Sequence, residues 1–486
     1  MSSIEKADNV GVHENEASVD MVEQGKVEAI NQNAPILTDE EREIEKRIVR
    51  KIDYRLLPIT ALIYLLCYID RSNIGNAKIL NSNTGDDILQ TNNMTTYQYT
   101  VALMLFLVAY CIFEAPSNLM IKIASPRRWL GFLVLCFGAF CAGIGGTKNA
   151  AGVTALRFFL GAAEAGVFPG MIYYFSFWYR AEERAARIAS FMCSATLSGA
   201  FGGCIAYGVG HMNGAGGLEA WRWLFIFEGI PSIILGVLVF FFLPSYPEDV
   251  KWLTDEEKEL QQRRLGIHGN AIAEKINWQD AKAVLLDGRM WLHYFVYGCA
   301  GCGVASLSLF APTIVLGLGY ANLQAQLYTV PPYAAAYVFA LLSSYASDKL
   351  RQRGLVAGLS FMLGSVSYIV LAALPGESYK VRYAMLCLAT SGVFGGLPAL
   401  CAWVGDNART TTAGALATGL NIAVSGPGQI IGVWIYRAQD APIYRLGHGI
   451  NAGFLFIAMV LSFALTIHYR LLNAKMVGTN ELRWSV

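Results

Sequence analysis

Charge is scarce in this chain of 486 residues: 15% are Asp, Glu, Lys or Arg, where a soluble domain carries about 25%. Neither sign dominates, with 37 Lys and Arg against 36 Asp and Glu. There is therefore no basic field to hold nucleic acid, which is excluded as a partner. The ten cysteines show no spacing of a secreted disulfide framework and fall inside apolar segments, where they read as small packing residues. Cys299 and Cys302 form a CxxC, but in the Gly-rich run GCAGCGVAS, without the loops or histidines of a zinc site. No metal and no cofactor are expected. The first 37 residues are polar and acidic, so no cleavable signal peptide is expected and the first span does the targeting.

What the chain has instead is apolar length. Hydrophobic residues make up 55% and fall in blocks such as 230–243 and 452–467, too continuous for an amphipathic soluble fold. Twelve spans are predicted, at 58–76, 98–120, 128–147, 153–178, 186–210, 221–243, 289–317, 324–346, 355–374, 382–404, 411–436 and 450–471. The fold class that follows is an all-α membrane protein of two pseudo-symmetric six-helix bundles. Its predicted parts are an N-terminal tail (1–57), a first bundle (58–243), a central loop (244–288), a second bundle (289–472) and a C-terminal tail (473–486). Two capping boxes, Thr38-Asp-Glu-Glu41 and Thr254-Asp-Glu-Glu257, predict helix starts in the tail and the loop. The tail helix, with Ile44, Ile48, Val49 and Ile52 among Arg and Lys, is expected to lie on the membrane surface.

Lys and Arg counts set the expected orientation. One set of loops holds Lys122, Arg127, Arg128, Arg180, Arg184, Arg187, Lys349, Arg351 and Arg353, besides the basic central loop. The opposite set is poorer, so both termini are expected to be cytoplasmic. Asn93-Met-Thr95 then falls outside and makes Asn93 a candidate glycan acceptor. The halves echo each other in the acidic and basic turn Ser347–Gly354, altered at Pro116–Arg128, and in glycine clusters at 199–203 and 426–428, where kinks are expected.

Four charges fall at membrane depth, where each costs about 2.5–3.5 kcal/mol and is a functional hypothesis by default. Asp70 and Arg71 end the apolar part of the first span; Arg157 and Glu164 lie within the fourth. As helix neighbours, Asp70 and Arg71 point about 100° apart and each needs a partner elsewhere. Arg157 and Glu164, seven apart, share a face and can line one cavity. A structural charge network is one reading. The small polar surroundings (Ser72, Asn73, Asn76, Gly161, Gly166) favour a hydrated transport site. There, an ionised Glu164 competes for an arginine, and a protonated one frees that guanidinium to grip a substrate carboxylate.

IDRSNIGNAKI, FEAPSNLMIK, RFFLGAAEAGVFPGMIYYFSFWYRAEERAARIASF, WRWLFIFEGIPSII and FFFLPSYPED together resemble the anion:cation symporter family of the major facilitator superfamily. The likeness is to its fungal allantoate permease branch and spans about 55–469. It implies proton-coupled uptake of a small organic anion by alternating access, with the proton gradient as energy source. It places proton coupling at Asp70 and Glu164 and substrate binding at Arg71, Arg157 and Tyr110. Asn73 beside them, and more loosely Asn421, Gln429 and Trp403, complete the substrate candidates; for Asn421 and Gln429 a contact between packed helices is the equal alternative. Arg409 reads as an anchor beside Asp406, Lys78 as an interfacial snorkel, and Glu228 as packing. The four histidines near span ends receive no role.

A secondary carrier thus stands ahead of a membrane enzyme, for which no HExxH or nucleophile motif exists, and of a nutrient sensor with its long tail. Export of an acidic metabolite by proton exchange is the alternative within carriers. The expected partners are the anion, protons and lipid. A monomer in the plasma membrane is expected.

Overall fold

The computed structural model describes residues 38–265, 278–320, 322–408, 411–476 and 483–486. Among them every regular element is helical. Ten helices are long and apolar enough to cross a membrane. The other two expected crossings, the eighth and eleventh, pack alongside them.

The first half comprises α1 (Asp39–Ile79), α2 (Thr96–Ala124), α3 (Pro126–Ile144), α4 (Ala150–Glu164), α5 (Val167–Phe175), α6 (Ala181–Gly210) and α7 (Ala220–Phe242). Two helices of the central loop follow, α8 (Asp255–Leu265) and α9 (Trp278–Leu286). The second half holds α10 (Gly288–Gly317), α11 (Val330–Leu350), α12 (Arg353–Ala373), α13 (Tyr379–Asp406), α14 (Thr411–Ala423), α15 (Ser425–Trp434) and α16 (Arg445–Lys475). The halves pack alike: α3 runs along α7, and α12 along α16. Below, the end of the bundle carrying residue 38, the central loop and residues 483–486 is the terminal face; the other is the distal face.

Three local expectations are corrected. Thr38 does cap a helix, its hydroxyl accepting from Glu41 N–H, but that helix does not lie apart on a surface. It continues through Pro58 into the first span as one 41-residue helix. Four of its charges meet partners elsewhere in the protein: Lys51 with Glu257 (2.6 Å), Asp53 with Arg187 (2.8 Å), Glu41 with Arg263 (2.8 Å), and Glu45 with Arg180 (3.0 Å), while Arg42, Lys46, Arg47 and Arg50 are exposed. Second, the fourth span crosses as one stretch, Ala150–Phe175, but with a turn at Ala165 and Gly166 between two helices. At Gly166 a Cβ would lie 1.7 Å from Ser117 Oγ of α2, so only glycine admits this approach. Third, the fifth span runs unbroken past Gly199 and Gly203, which instead seat Tyr333 and Thr329 of the second half; the eleventh does break, at Val424.

At the distal face the halves are closed on each other. Gln326 Nε2 donates to Asn76 O (3.0 Å), and the Tyr97 and Trp434 rings meet at 5.7 Å. Gly75 of α1 approaches the Leu309 backbone so closely that a Cβ would stand 2.3 Å from its oxygen. Lys78, expected to snorkel, points into this seam, between the rings of Tyr99 (5.2 Å) and Phe310 (5.5 Å).

Candidate functional site

The helical offset between Asp70 and Arg71 sends their side chains into different compartments. Arg71 faces the centre of the bundle and lines a narrow cavity between the halves, with Leu103, Phe106, Arg157, Ser308 and Gln429. Its guanidinium lies against the rings of Tyr110 (4.7 Å), Phe106 (5.1 Å) and Tyr68 (5.2 Å). Glu164, at the end of α4 where the Gly166 approach halts the helix, stands 3.5 Å from Arg71 Nε. The contact is an ion pair without a hydrogen bond, and neither Glu164 oxygen has a hydrogen-bond partner. The carboxylate thus reaches the cavity through Arg71 rather than lining it.

Arg157, about two turns into α4, is 1% exposed. Its Nη2 donates to Asn73 Oδ1 (2.8 Å) and its Nη1 to the Arg71 carbonyl (3.3 Å), while Nε has no partner. Asn73 donates in turn to Cys141 Sγ at 3.2 Å. Asn73 therefore positions Arg157 and lies off the cavity. Asp70 is fully buried behind this group, its Oδ2 accepting from Ser232 Oγ (3.1 Å) and its Oδ1 unpartnered.

A second cavity lies on the terminal side of the first and shares Val304 and Gln429 with it. Tyr64, Tyr68, Tyr297, Phe394, Met192 and Thr196 line it. Gln429 stands where the two meet, its amide donating to Ser425 Oγ (2.8 Å). Tyr64 and Tyr68 escaped the sequence reading although their spacing from Arg71, seven and three, puts all three on one face of α1. Glu114, inside FEAPSN, is another omission: it is buried and neither oxygen has a hydrogen bond.

Of the substrate candidates, Asn73, Tyr110, Asn421 and Trp403 line neither cavity; Asn73 and Tyr110 touch the arginines that do, and the other two stand further off. Asn421 is fully buried with both amide atoms unpartnered. Trp403, expected to face substrate, packs at the terminal face against His293 (4.4 Å) and gives its indole N–H to Ser485 O (2.9 Å). The physical reason is the returning chain end. Asn407 and Asn473 pair with backbone atoms of Ser485 and Trp484, and Arg289 lies 4.2 Å from the Trp484 ring. Asn93 is exposed at the distal face, just before the cap Thr95. Arg409 lies outside the described residues; Asp406 pairs with Arg353 (3.1 Å), which also bonds Asp348 and so ties the turn between α11 and α12 to α13. Cys299 and Cys302 are buried thiols, and no metal-binding cluster occurs among the described residues.

Two helical halves closed over a charged central cavity define a polytopic secondary transporter. The profile of the Major Facilitator Superfamily matches residues 60–433, and the chain belongs to that family. It is 48% identical over 463 residues to the MFS transporter prlL of a fungal species (strain NRRL 50135), covering 95% of this chain and 93% of that one. It is 28% identical over 436 residues to the high-affinity nicotinic acid transporter of Saccharomyces cerevisiae, covering 89% and 79%. Among solved structures, a bacterial homologue of the human lysosomal transporter Spinster, inward-facing and unoccupied, superposes with TM-score 0.66 at 16% identity, covering 85% and 97%. A D-xylose–proton symporter does so with TM-score 0.64 at 15% identity, covering 84% and 97%.

Proposed function

We propose that this protein is a proton-coupled symporter of small organic carboxylates, of the allantoate permease branch, that works by alternating access. The observation that carries the reading is the Arg71–Glu164 contact: a cavity-lining guanidinium held at 3.5 Å by a buried carboxylate that makes no hydrogen bond. Such a carboxylate is poorly stabilised as an ion. Protonation releases Arg71 for a substrate anion, and an arriving anion favours protonation, so the two bind together. Arg157, which lines the same cavity and has an unpartnered Nε, offers a second cationic group. The adjoining tyrosine chamber suits the uncharged body of the substrate, planar or alicyclic, with hydroxyls of Tyr64, Tyr68 and Tyr297 for its polar edge. Likeness to a nicotinic acid transporter supports an acid of that shape.

The positive-inside bias makes the terminal face cytoplasmic and puts Asn93 outside, where it is proposed to carry a glycan. The cavity, closed at the distal face, then belongs to the cytoplasm-directed half of the cycle. The protein acts as a monomer in the plasma membrane, driven by the proton gradient alone.

The test is uptake of radiolabelled nicotinate, benzoate, pantothenate and allantoate by a transport-deficient host expressing the chain. At least one is expected to accumulate saturably, faster in acid medium, and to be lost with a protonophore or in Arg157→Ala. Accumulation indifferent to pH and protonophore, or intact in Arg157→Ala, overturns the reading.

A further inference from the structure

The terminal face repeats one arrangement in both halves. In the first half, Arg55 stands where α1 enters the bundle, three residues before Pro58, and its guanidinium covers the Trp252 ring at 4.5 Å. Trp252 follows the end of α7 by ten residues and stacks on the buried Trp178, at the terminal end of the fourth span, with ring centres 6.0 Å apart. Gln261 of α8 donates to the Trp178 carbonyl (2.9 Å). In the second half, Arg289 opens α10 and lies 4.2 Å from the Trp484 ring. Trp484 follows the end of α16 by nine residues, and the Ser485 carbonyl beside it accepts from Trp403, buried at the terminal end of the tenth span. The halves of such a fold are related by a repeat. Arginine at the start of the first helix, tryptophan at the end of the fourth and tryptophan after the sixth thus occur in equivalent places twice. Even the local sequences echo, as Asp249-Val-Lys-Trp252 and Glu481-Leu-Arg-Trp484.

Residues 484 and 485 are held by more than one ring. Asn473 of α16 pairs with both backbone polar atoms of Trp484 (2.8 Å each), and Asn407, at the end of α13, with both of Ser485 (2.8 and 3.2 Å). Each asparagine satisfies one donor and one acceptor of the peptide. The edge of Arg289 is spent on Asp287, which leaves its face for the tryptophan. Tyr469 of α16 completes the recess, its ring 5.8 Å from that of Trp484. Five side chains from three helices therefore grip two residues. Two of those helices wall the second cavity: α10 with Tyr297, Gly301 and Val304, and α13 with Phe394, Leu397 and Pro398. Arg289 stands about two turns before Tyr297 on α10.

We infer that residues 483–486 form a strap that ties the terminal ends of α10 and α13 to α16, as the Trp252 segment ties those of the first half, and so sets how widely the cavity opens at the terminal face. Helices that wall a cavity lack packing partners on that side. The spacing of their ends is then governed by what joins them outside it. The strap acts whatever the substrate, so the inference goes beyond the proposed symport.

The experiment is hydrogen–deuterium exchange of the full-length protein in lipid nanodiscs, comparing wild type with Trp484→Ala, Trp484→Phe, Arg289→Gln and Trp252→Ala. The second readout is maleimide labelling, from the terminal side, of Met192→Cys in the second cavity, in a cysteine-free background. Trp484→Ala and Arg289→Gln are expected to speed exchange in the first turns of α10 and the last of α13, leaving the segment around Trp252 unchanged. Labelling is expected to rise about fivefold, the factor to which loss of one partly desolvated cation–π contact corresponds. Trp484→Ala adds nothing to Arg289→Gln, Trp484→Phe stays near wild type, and Trp252→Ala speeds exchange around Arg55 and Trp178 instead. Unchanged exchange in Trp484→Ala rejects the docking, and faster exchange with unchanged labelling rejects control of the opening. Additive effects reject the Arg289–Trp484 pairing, and a silent Trp252→Ala rejects the repeat. Should Trp484→Ala not assemble, Asn473→Ala, which takes two backbone bonds from the strap, is judged by the same outcomes. Neither readout uses substrate, so failure of carboxylate uptake would reject symport and leave the strap standing.

Discussion

Replacing Glu164 by Gln removes the competitor for Arg71 while keeping the shape of the side chain. The unscreened attraction of unit charges 3.5 Å apart at an effective dielectric of about 20 is about 5 kcal/mol. That is a ceiling, because Arg71 also rests on three aromatic rings and Glu164 must be desolvated to hold it. Coupling between two ligands of one protein is typically about 1–3 kcal/mol, or about 5–150-fold in affinity. In the wild type, then, affinity for the proposed carboxylate substrate is expected to fall by a factor in that range as pH rises and Glu164 ionises. In Glu164→Gln the affinity stays at its acid-pH value throughout. Counterflow exchange in proteoliposomes, which needs no net proton movement, measures this directly and is expected to persist. Accumulation against a gradient is expected to be lost. If the variant still accumulates substrate, or if its affinity keeps the wild-type pH dependence, Glu164 is not the coupling group.

Three further outcomes are expected. Gly75→Ala places a methyl 2.3 Å from Leu309 O, so it wedges the distal seam; a cysteine introduced at Ser308 in a cysteine-free background is expected to label faster from the distal side, and unchanged labelling refutes the seam. Partial burial pushes Glu257 up, but the Lys51 ammonium and the Thr254 N–H outweigh it and hold the carboxyl below its usual range. A depressed folded pKa means that the tie, about 1 kcal/mol or less, is fully present above about pH 5 and is lost as pH falls below about 4; protease cleavage of the 244–288 loop should rise only there, whereas Glu257→Gln raises it at every pH. Trp403→Phe removes a hydrogen bond to Ser485 and no cavity contact, so KM for the transported acid is expected to hold; a several-fold rise would return Trp403 to the substrate path.

The residues explain which features could be read without coordinates. Capping is local, and both boxes are present: Thr38 with Glu41, Thr254 with Glu257. Spans are a property of continuous composition, and the apolar blocks became helices. The fate of the basic segment before Pro58 was not legible. Its partners Glu257 and Arg187 stand 206 and 134 residues away, and an amphipathic helix reads the same whether lipid or protein covers it. Trp403 illustrates a different limit. Position on the tenth span was inferred correctly, but the returning chain end that occupies its indole comes from residues whose docking no local pattern announces.

The charged centre was legible in its geometry more than in its bookkeeping of partners. The 100° offset between adjacent helix residues already required Asp70 and Arg71 to look in different directions, and they do. The sequence also put Arg157 and Glu164 on one face, yet only Arg157 lines the cavity; Glu164 acts on it through Arg71. What spacing cannot reveal is which buried acid lacks a donor, since that depends on side chains from four helices. Glu114 differs from an ordinary packing residue only in that count. The consequence is a division of labour: a cavity bearing two guanidinium groups toward the substrate, and carboxyls set behind them rather than among them. An anion entering such a site meets positive charge without first displacing water from a negative group, and its charge reaches the acids through arginines. Reversing that order, by moving an acid into the cavity wall at Ser308 or Gln429, should therefore weaken anion binding far more than neutralising any single acid behind it.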